Sequence, residues 1–315
     1  MQAESHPPKE IQIGGQAVIE GVVMRFPDRW ALAVRRPDGD IYTAVNDGTT
    51  LADRHPRFNK LFIRGIFALV DSFLIGLRAL SVSARISLEE PDEAGSVEDE
   101  EHAEQKKLGS VELVFALVLA LALFLGLFIV LPAVVVRQFD RYLTNTVVYN
   151  LAEGLMRMSI FVLYLAAMSL LPDMRRLFEY HGAEHKVVHA YEAGLPLDSD
   201  SASPFTTIHI RCGTTFIVVV FVISILVFSL MGRPALWLRV VERLAVIPLV
   251  AAVSYEIIRL AGKKEGSRLV RFFMAPGLWF QRLTTREPDK DQMEVAVRAL
   301  SVALGEVTAT SQQTT

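Results

Sequence analysis

Cysteine is almost absent: Cys212 is the single one among 315 residues. That excludes an intramolecular disulfide framework and every metal motif built from clustered cysteines. Net charge is small as well, formally −3, with pI near 6.2, and nothing in that balance points to a nucleic-acid partner. The N-terminal MQAESHPPKEIQ has neither the basic n-region nor the apolar h-region of a secretory signal, so internal helices are expected to direct insertion.

Apolar residues are abundant, at 51% of the chain, with a mean hydropathy of +0.34. They are gathered into long runs, which is the composition of a membrane protein. A hydrocarbon core of ~30 Å needs roughly 20 apolar residues in a helix. Four stretches qualify: Val111 to Val136, Leu151 to Leu171, Thr214 to Met231 and Leu244 to Gly262. They predict two transmembrane hairpins, over 111–171 and 214–262. Basic residues favour the flanks holding Lys106, Lys107, Arg175, Arg176, Arg211, Lys263, Lys264 and Arg268 over the turns holding Arg137, Arg141, Arg233, Arg239 and Arg243. Both termini are therefore expected in the cytoplasm.

Around the hairpins the texture changes. Residues 61–86 carry Arg64, Asp71 and Arg78 at a spacing close to two helical turns, which predicts an amphipathic helix lying in the membrane interface. A fifth span containing Asp71 is the alternative, and it would move the loop that follows the first hairpin to the other side. Residues 87–110 are acidic and lack large apolar side chains, as a flexible linker would. Residues 1–60 alternate in GGQAVIEGVVMR, RWALAVRR and DIYTAV around the turn Pro37-Asp38-Gly39, predicting a small cytoplasmic β-meander. Residues 263–315 begin with a basic, aromatic interfacial stretch from Arg268 to Arg282. A short helix over Asp291 to Leu304 and a disordered tail from Thr308 are expected to follow.

The chemistry is concentrated in the cytoplasmic loop 172–213. In LFEYHGAEHKVVHAYEAG, residues 177–194, a helix at roughly 100° per residue puts His181, Glu184, His185, His189 and Glu192 on one face. Imidazoles on successive turns can converge on one divalent ion, and a nearby carboxylate can complete the shell or take a proton from an attacking water. His181-Gly182-Ala183-Glu184-His185 also fits the H-x-x-E-H pattern of inverted zinc hydrolases. Metal ligands are therefore expected at His181, His185 and His189, with zinc as the divalent ion and Glu184 as general base. Three histidines on consecutive turns of one helix rarely all reach one ion, which leaves Glu192 or His209 as alternative ligands. His209-Ile210-Arg211-Cys212 flanks the same loop, with Cys212 a thiolate ligand, a nucleophile beside Arg211, or a small buried residue at a helix start. Glu20 and Arg25 are further candidates, against the simpler reading that their segment is only turn and strand. Glu256 and Arg259 are expected to pair between spans.

The blocks GGQAVIEGVVMR, FIRGIFALVDSFLIGLRAL, YHGAEHKVVHAYE, HIRCGTTF and APGLWFQRLTTREPD occur in this order from about Gly14 to Leu304. They resemble the signature blocks of the YqhQ-like family of bacterial membrane proteins, a domain of unknown function described as predicted metal-dependent enzymes. Here Ile210 stands where the family block has proline. The resemblance implies a bacterial cytoplasmic membrane location and site roles for Glu20, Arg25, His181, Glu184, His185, His189, Glu192, His209, Arg211 and Cys212, but names no reaction. The expected fold is a mainly α integral membrane protein: four transmembrane helices in two hairpins, an interfacial helix and a small N-terminal β-rich region. The expected function is a divalent-metal site at the membrane interface, with metal-dependent hydrolysis as the reaction class. The alternative is a non-enzymatic scaffold or regulator of another membrane protein. The lipid bilayer is the partner common to both.

Overall fold

The computed structural model describes residues 13–26, 28–47, 60–88, 110–264 and 266–312. Most of the acidic linker, 89–109, and parts of the N-terminal region, 1–12 and 48–59, lie outside the described residues.

Alternating side chains build the expected meander. Strands β1 (Gly14–Val18), β2 (Gly21–Arg25), β3 (Arg29–Arg35) and β4 (Ile41–Asp47) pair antiparallel in sequence order. Gly21 faces β3 so closely that a Cβ there would sit 2.3 Å from the Ala33 carbonyl oxygen, which excludes any larger residue. The period of two sends Val22, Met24, Ala31 and Ala33 to one face and Val23, Leu32 and Val34 to the other. Each face has its own cover. The first packs on two helices defined below, and the second on Ala79 and Ile86 of α1 (Ile63–Ile86). The tail departs from expectation. Ser311–Gln312 form β5, parallel to β4, and Thr310 exchanges hydrogen bonds with Thr43, so the sheet edge orders residues with no strand pattern of their own.

Helix α1 starts against the bundle and ends beneath the sheet. Arg64 forms a fork on Glu256, Nε to Oε1 at 2.8 Å and Nη2 to Oε2 at 2.5 Å, while Gly65 meets Tyr255. The side away from the sheet exposes Ile66, Val70, Phe73, Leu74, Leu77 and Leu80.

The bundle follows. Helices α2 (Ser110–Leu125) and α3 (Leu131–Arg137) are joined by a single π-helical segment, Gly126–Val130. Asn145 caps α4 (Thr146–Met168), accepting from the amides of Val147 and Val148. Ser169 to Leu171 break the chain before Pro172 opens α5 (Pro172–Glu192), so the histidine helix is separate from the preceding rod rather than its continuation. After the short α6 (Ser199–Ala202) come α7 (Gly213–Ser229), α8 (Leu236–Gly262), α9 (Arg268–Thr284) and α10 (Lys290–Leu304). Helix α7 is central, packed by α4, α8 and α9. The first face of the sheet rests on α5 and α10 through Tyr180, Ala183, Val187, Ala296, Ala299 and Leu300.

Among the described residues, four helices are long and apolar enough to cross a membrane: Ile63–Ile86, Val118–Arg137, Thr146–Met168 and Trp237–Gly262. This set differs from the four stretches expected. Gly213–Ser229, at 17 residues, is shorter than these, and α1 joins by length and composition.

Candidate metal centre

Two segments far apart in sequence clasp the second half of α5. On one side, the chain leaving α9 crosses at Gly182, where a Cβ would lie 2.0 Å from the Arg286 carbonyl oxygen, and Arg286 N donates to Phe178 O. This close approach is why the residue after His181 has no side chain. On the other side runs the turn from Thr207 to Cys212, braced by the buried Gln281. Its amide accepts from His209 N at 2.8 Å and donates to His209 O and to Thr215 Oγ1, each at 2.6 Å.

These segments present backbone carbonyls to the imidazoles. His181 Nδ1 donates to Thr284 O at 2.8 Å, and His185 Nδ1 to Thr207 O at 2.6 Å. A carbonyl only accepts, so each Nδ1 carries a proton, and a neutral ring held in this way keeps its lone pair on Nε2. His181 Nε2 then lies 3.2 Å from Cys212 Sγ, and the ligand atoms of His181, His185 and Cys212 all fall within 4.8 Å of one another. Ligands at Zn–N of roughly 2.0–2.1 Å and Zn–S of about 2.3 Å in a tetrahedron are separated by roughly 3.5 Å. The donor set, its spacing and the anchoring of both rings through Nδ1 are therefore those of a group that could hold a metal ion. Glu184 is buried beside them, Oε2 at 3.5 Å from His185 Nε2. Gly15 of β1 presses so closely that a Cβ there would sit 2.4 Å from Glu184 Cγ, so the N-terminal sheet closes over this carboxylate.

The electrostatics follow from the pairing. Burial pulls the His181 pKa down, but the Cys212 thiolate, Glu184 and the Thr284 carbonyl together outweigh it and raise it to about 9. Burial pushes the Cys212 thiol up, and His181 and His185 together bring it well below the ordinary thiol value. Cys212 is also the N-cap of α7, its Sγ accepting from Thr214 N at 3.3 Å. Without a metal, the arrangement is a thiolate–imidazolium pair.

His189 lies in a second group. It uses Nε2, not Nδ1, to donate to Ile208 O at 3.0 Å, and its neighbours are Glu192 and His209. There Glu192 is ion-paired with Arg211 and lies 3.4 Å from His209 Nε2. The four rings stand in a row, with centroids 4.5 Å apart for His181 and His185, 5.7 Å for His185 and His209, and 4.6 Å for His209 and His189.

Glu20 and Arg25 stand outside both groups. Glu20, in the left-handed turn between β1 and β2, pairs with Arg176 and accepts from Tyr180 Oη at 3.1 Å, one turn before the histidines. The Tyr180 hydroxyl pKa is raised by burial and by Glu20. Arg25 reaches α1, donating to Ser72 Oγ at 2.7 Å with Asp71 3.8 Å away. Glu256 pairs with Arg64 of α1 rather than with a residue of another expected span. Sequence reasoning missed Gln281, Gly182 and the carbonyls of Thr207 and Thr284. The glycine between a histidine and the H-x-x-E-H glutamate was the one visible signal.

Comparison with known proteins covers the helical part by a family model and most of the chain by a relative. A family model described as "Protein of unknown function (DUF1385)" matches residues 61–306. The chain is similar to "Uncharacterized protein YqhQ" of Bacillus subtilis (strain 168), at 33% identity over 301 residues, covering 92% of each chain. No solved structure matches.

Proposed function

Because the chain belongs to the DUF1385 family, whose description gives no activity, we propose from the site itself that this is a multi-pass protein of the bacterial cytoplasmic membrane carrying a zinc centre on His181, His185 and Cys212. The observation that supports this most is the matched pair of Nδ1–carbonyl hydrogen bonds, which turns both Nε2 atoms toward the buried sulfur. The proposed metal set thus exchanges His189 for Cys212. A divalent ion held there supplies Lewis-acid polarisation of an acyl or phosphoryl oxygen. Glu184 is placed to take a proton at Oε2 from an attacking water, and the sheet pressed on it through Gly15 excludes bulk solvent. Metal-assisted hydrolysis is the reaction class. The substrate is lipid-linked or a membrane protein, since the centre lies where the helical bundle meets the sheet domain. In this arrangement α2 with α3, α4, α7 and α8 cross the bilayer. Helices α1 and α9 lie along its cytoplasmic surface, with Phe73 and Leu77 of one and Phe272 and Trp279 of the other facing lipid.

Metal analysis of the purified protein and of the His181→Ala, His185→Ala double variant tests the centre. About one zinc per chain is expected in the first and almost none in the second; equal, near-zero content in both would remove the basis for it. One observation supports a second chemistry at the same residues. The 3.2 Å His181–Cys212 contact and the lowered thiol pKa suit a cysteine nucleophile. An active, metal-free preparation inactivated by a thiol reagent would select that chemistry. The arrangement in the membrane is tested with a cysteine introduced at Ser199, which should resist an impermeant alkylating reagent on intact cells.

A further inference from the structure

The end of the bundle opposite the histidine centre holds a different set of buried charges. Glu153 of α4, 1% exposed, is met by three guanidiniums: Arg157 at 3.1 Å, Arg243 Nη2 at 2.7 Å and Arg239 at 3.8 Å. Arg157 also donates from Nε to the Phe128 carbonyl at 2.6 Å, inside the π-helical segment. A fourth arginine, Arg233, stands beside this group, its guanidinium carbon 4.4 Å from the Tyr149 ring centroid, while Arg239 approaches the same ring at 5.1 Å. Tyr149 is fully buried and accepts from Arg239 at 2.9 Å.

Charge does not balance here. Among the described residues, Glu153 is the carboxylate that pairs with these arginines, so four positive charges face one negative. The Nε atoms of Arg233 and Arg239 are buried without an acceptor. Several guanidiniums at low dielectric repel one another and require anionic compensation. We infer that Arg233, Arg239 and Arg243 bind a phosphate group at this end of the bundle. Guanidinium forks match phosphate oxygens in pairs, and Arg239 lies in the first turn of α8, about 4.5 Å from its start, which is the depth of lipid headgroups. Glu153 and Tyr149 orient the forks, and Arg157 ties them to the π segment. The site depends on the helices being membrane-embedded and is independent of the metal.

The test uses the full-length protein in an uncharged detergent, with thermal unfolding as readout. Dihexanoyl phosphatidylglycerol, inorganic phosphate and phosphate-free dihexanoylglycerol are titrated in turn. A saturable stabilisation by a phosphate-bearing probe, none by dihexanoylglycerol, and about tenfold weaker binding in Arg233→Gln, Arg239→Gln are expected, the loss of a charge-assisted hydrogen bond being worth about that factor. A response to the lipid alone identifies a lipid headgroup; a response to inorganic phosphate at equal affinity identifies a soluble phosphate. If the double variant fails to fold, Arg233→Gln alone, at the less buried rim, carries the comparison. No saturable response to either phosphate probe, or the same affinity in the variant, overturns the site. Membrane embedding is checked separately by resistance of the native protein to carbonate extraction, so the two ideas can fail independently.

Discussion

The two ends of the helical bundle solve opposite electrostatic problems. At the sheet end, buried imidazoles donate from Nδ1 to backbone carbonyls, which leaves their other ring nitrogens grouped with a thiolate-prone sulfur. At the far end, arginines crowd a single carboxylate. The first arrangement groups donors that could hold a metal ion; the second groups cations, for which a phosphate is proposed above. Burial alone therefore does not mark a site's character. What decides it is which lone pairs and protons the surrounding backbone has already claimed.

Removing Glu153 should do the most damage. Glu153→Gln leaves the buried arginines without their counter-charge and is expected to lower stability by about 3–5 kcal/mol, read from denaturant unfolding of the detergent-solubilised protein. A loss under about 1 kcal/mol, within the usual range of an exposed pair, would break the contrast by showing that another anion already neutralises the cluster. At the sheet end, Cys212→Ser is expected to weaken zinc binding by more than the roughly 10–100-fold typical of losing an outer partner, measured by competition with a chromophoric chelator. Gly182→Ala should cost about 1–3 kcal/mol, because a methyl group there collides with the Arg286 carbonyl, and should loosen zinc binding as the Thr284 carbonyl retreats from His181.

A titration sharpens the comparison further. In chelator-treated protein, His181 and His185 hold the Cys212 pKa low, so its thiolate persists as pH falls below the ordinary thiol value. Alkylation by a small reagent at pH 7 should then proceed faster than for an ordinary thiol. In His181→Ala the midpoint of the rate profile should move upward, and the rate at pH 7 should fall. The smallest effect is predicted for His189→Ala, whose ligand atoms belong to the second group: zinc content should stay near that of the wild type. Loss of zinc there equal to that in His185→Ala would return the centre to three histidines.

The fold was legible where a pattern is local. Alternation in GGQAVIEGVVMR and RWALAVRR marks strands because each successive side chain must choose a face, and hydropathy marks the long helices because lipid or a buried interior requires it. The pairing of Ser311–Gln312 with β4 was not legible, since two residues carry no period. In the site, helical angle placed five polar side chains together but could not separate His189 from His181 and His185. Angle treats imidazoles as equivalent. Their difference lies in which ring nitrogen meets a carbonyl, and those carbonyls belong to Thr207, Ile208 and Thr284 in other segments. The arginine cluster was hidden for a similar reason. Arg239 and Arg243 read as charges in a turn, and Glu153 and Arg157 lie within the stretch Leu151 to Leu171, apart in sequence until packing of α4 and α8 against α7 brings them together.

The hydrogen bond from His181 to the Thr284 carbonyl spans 103 residues of sequence. During synthesis, α5 is finished long before that carbonyl exists. Until the chain has extended past α9 and folded back across Gly182, the tautomer of His181 is not set and the ring is free to turn. Order of synthesis thus withholds competence from a nascent chain: a ribosome stalled before residue 284 would carry all three proposed ligands and still lack the centre.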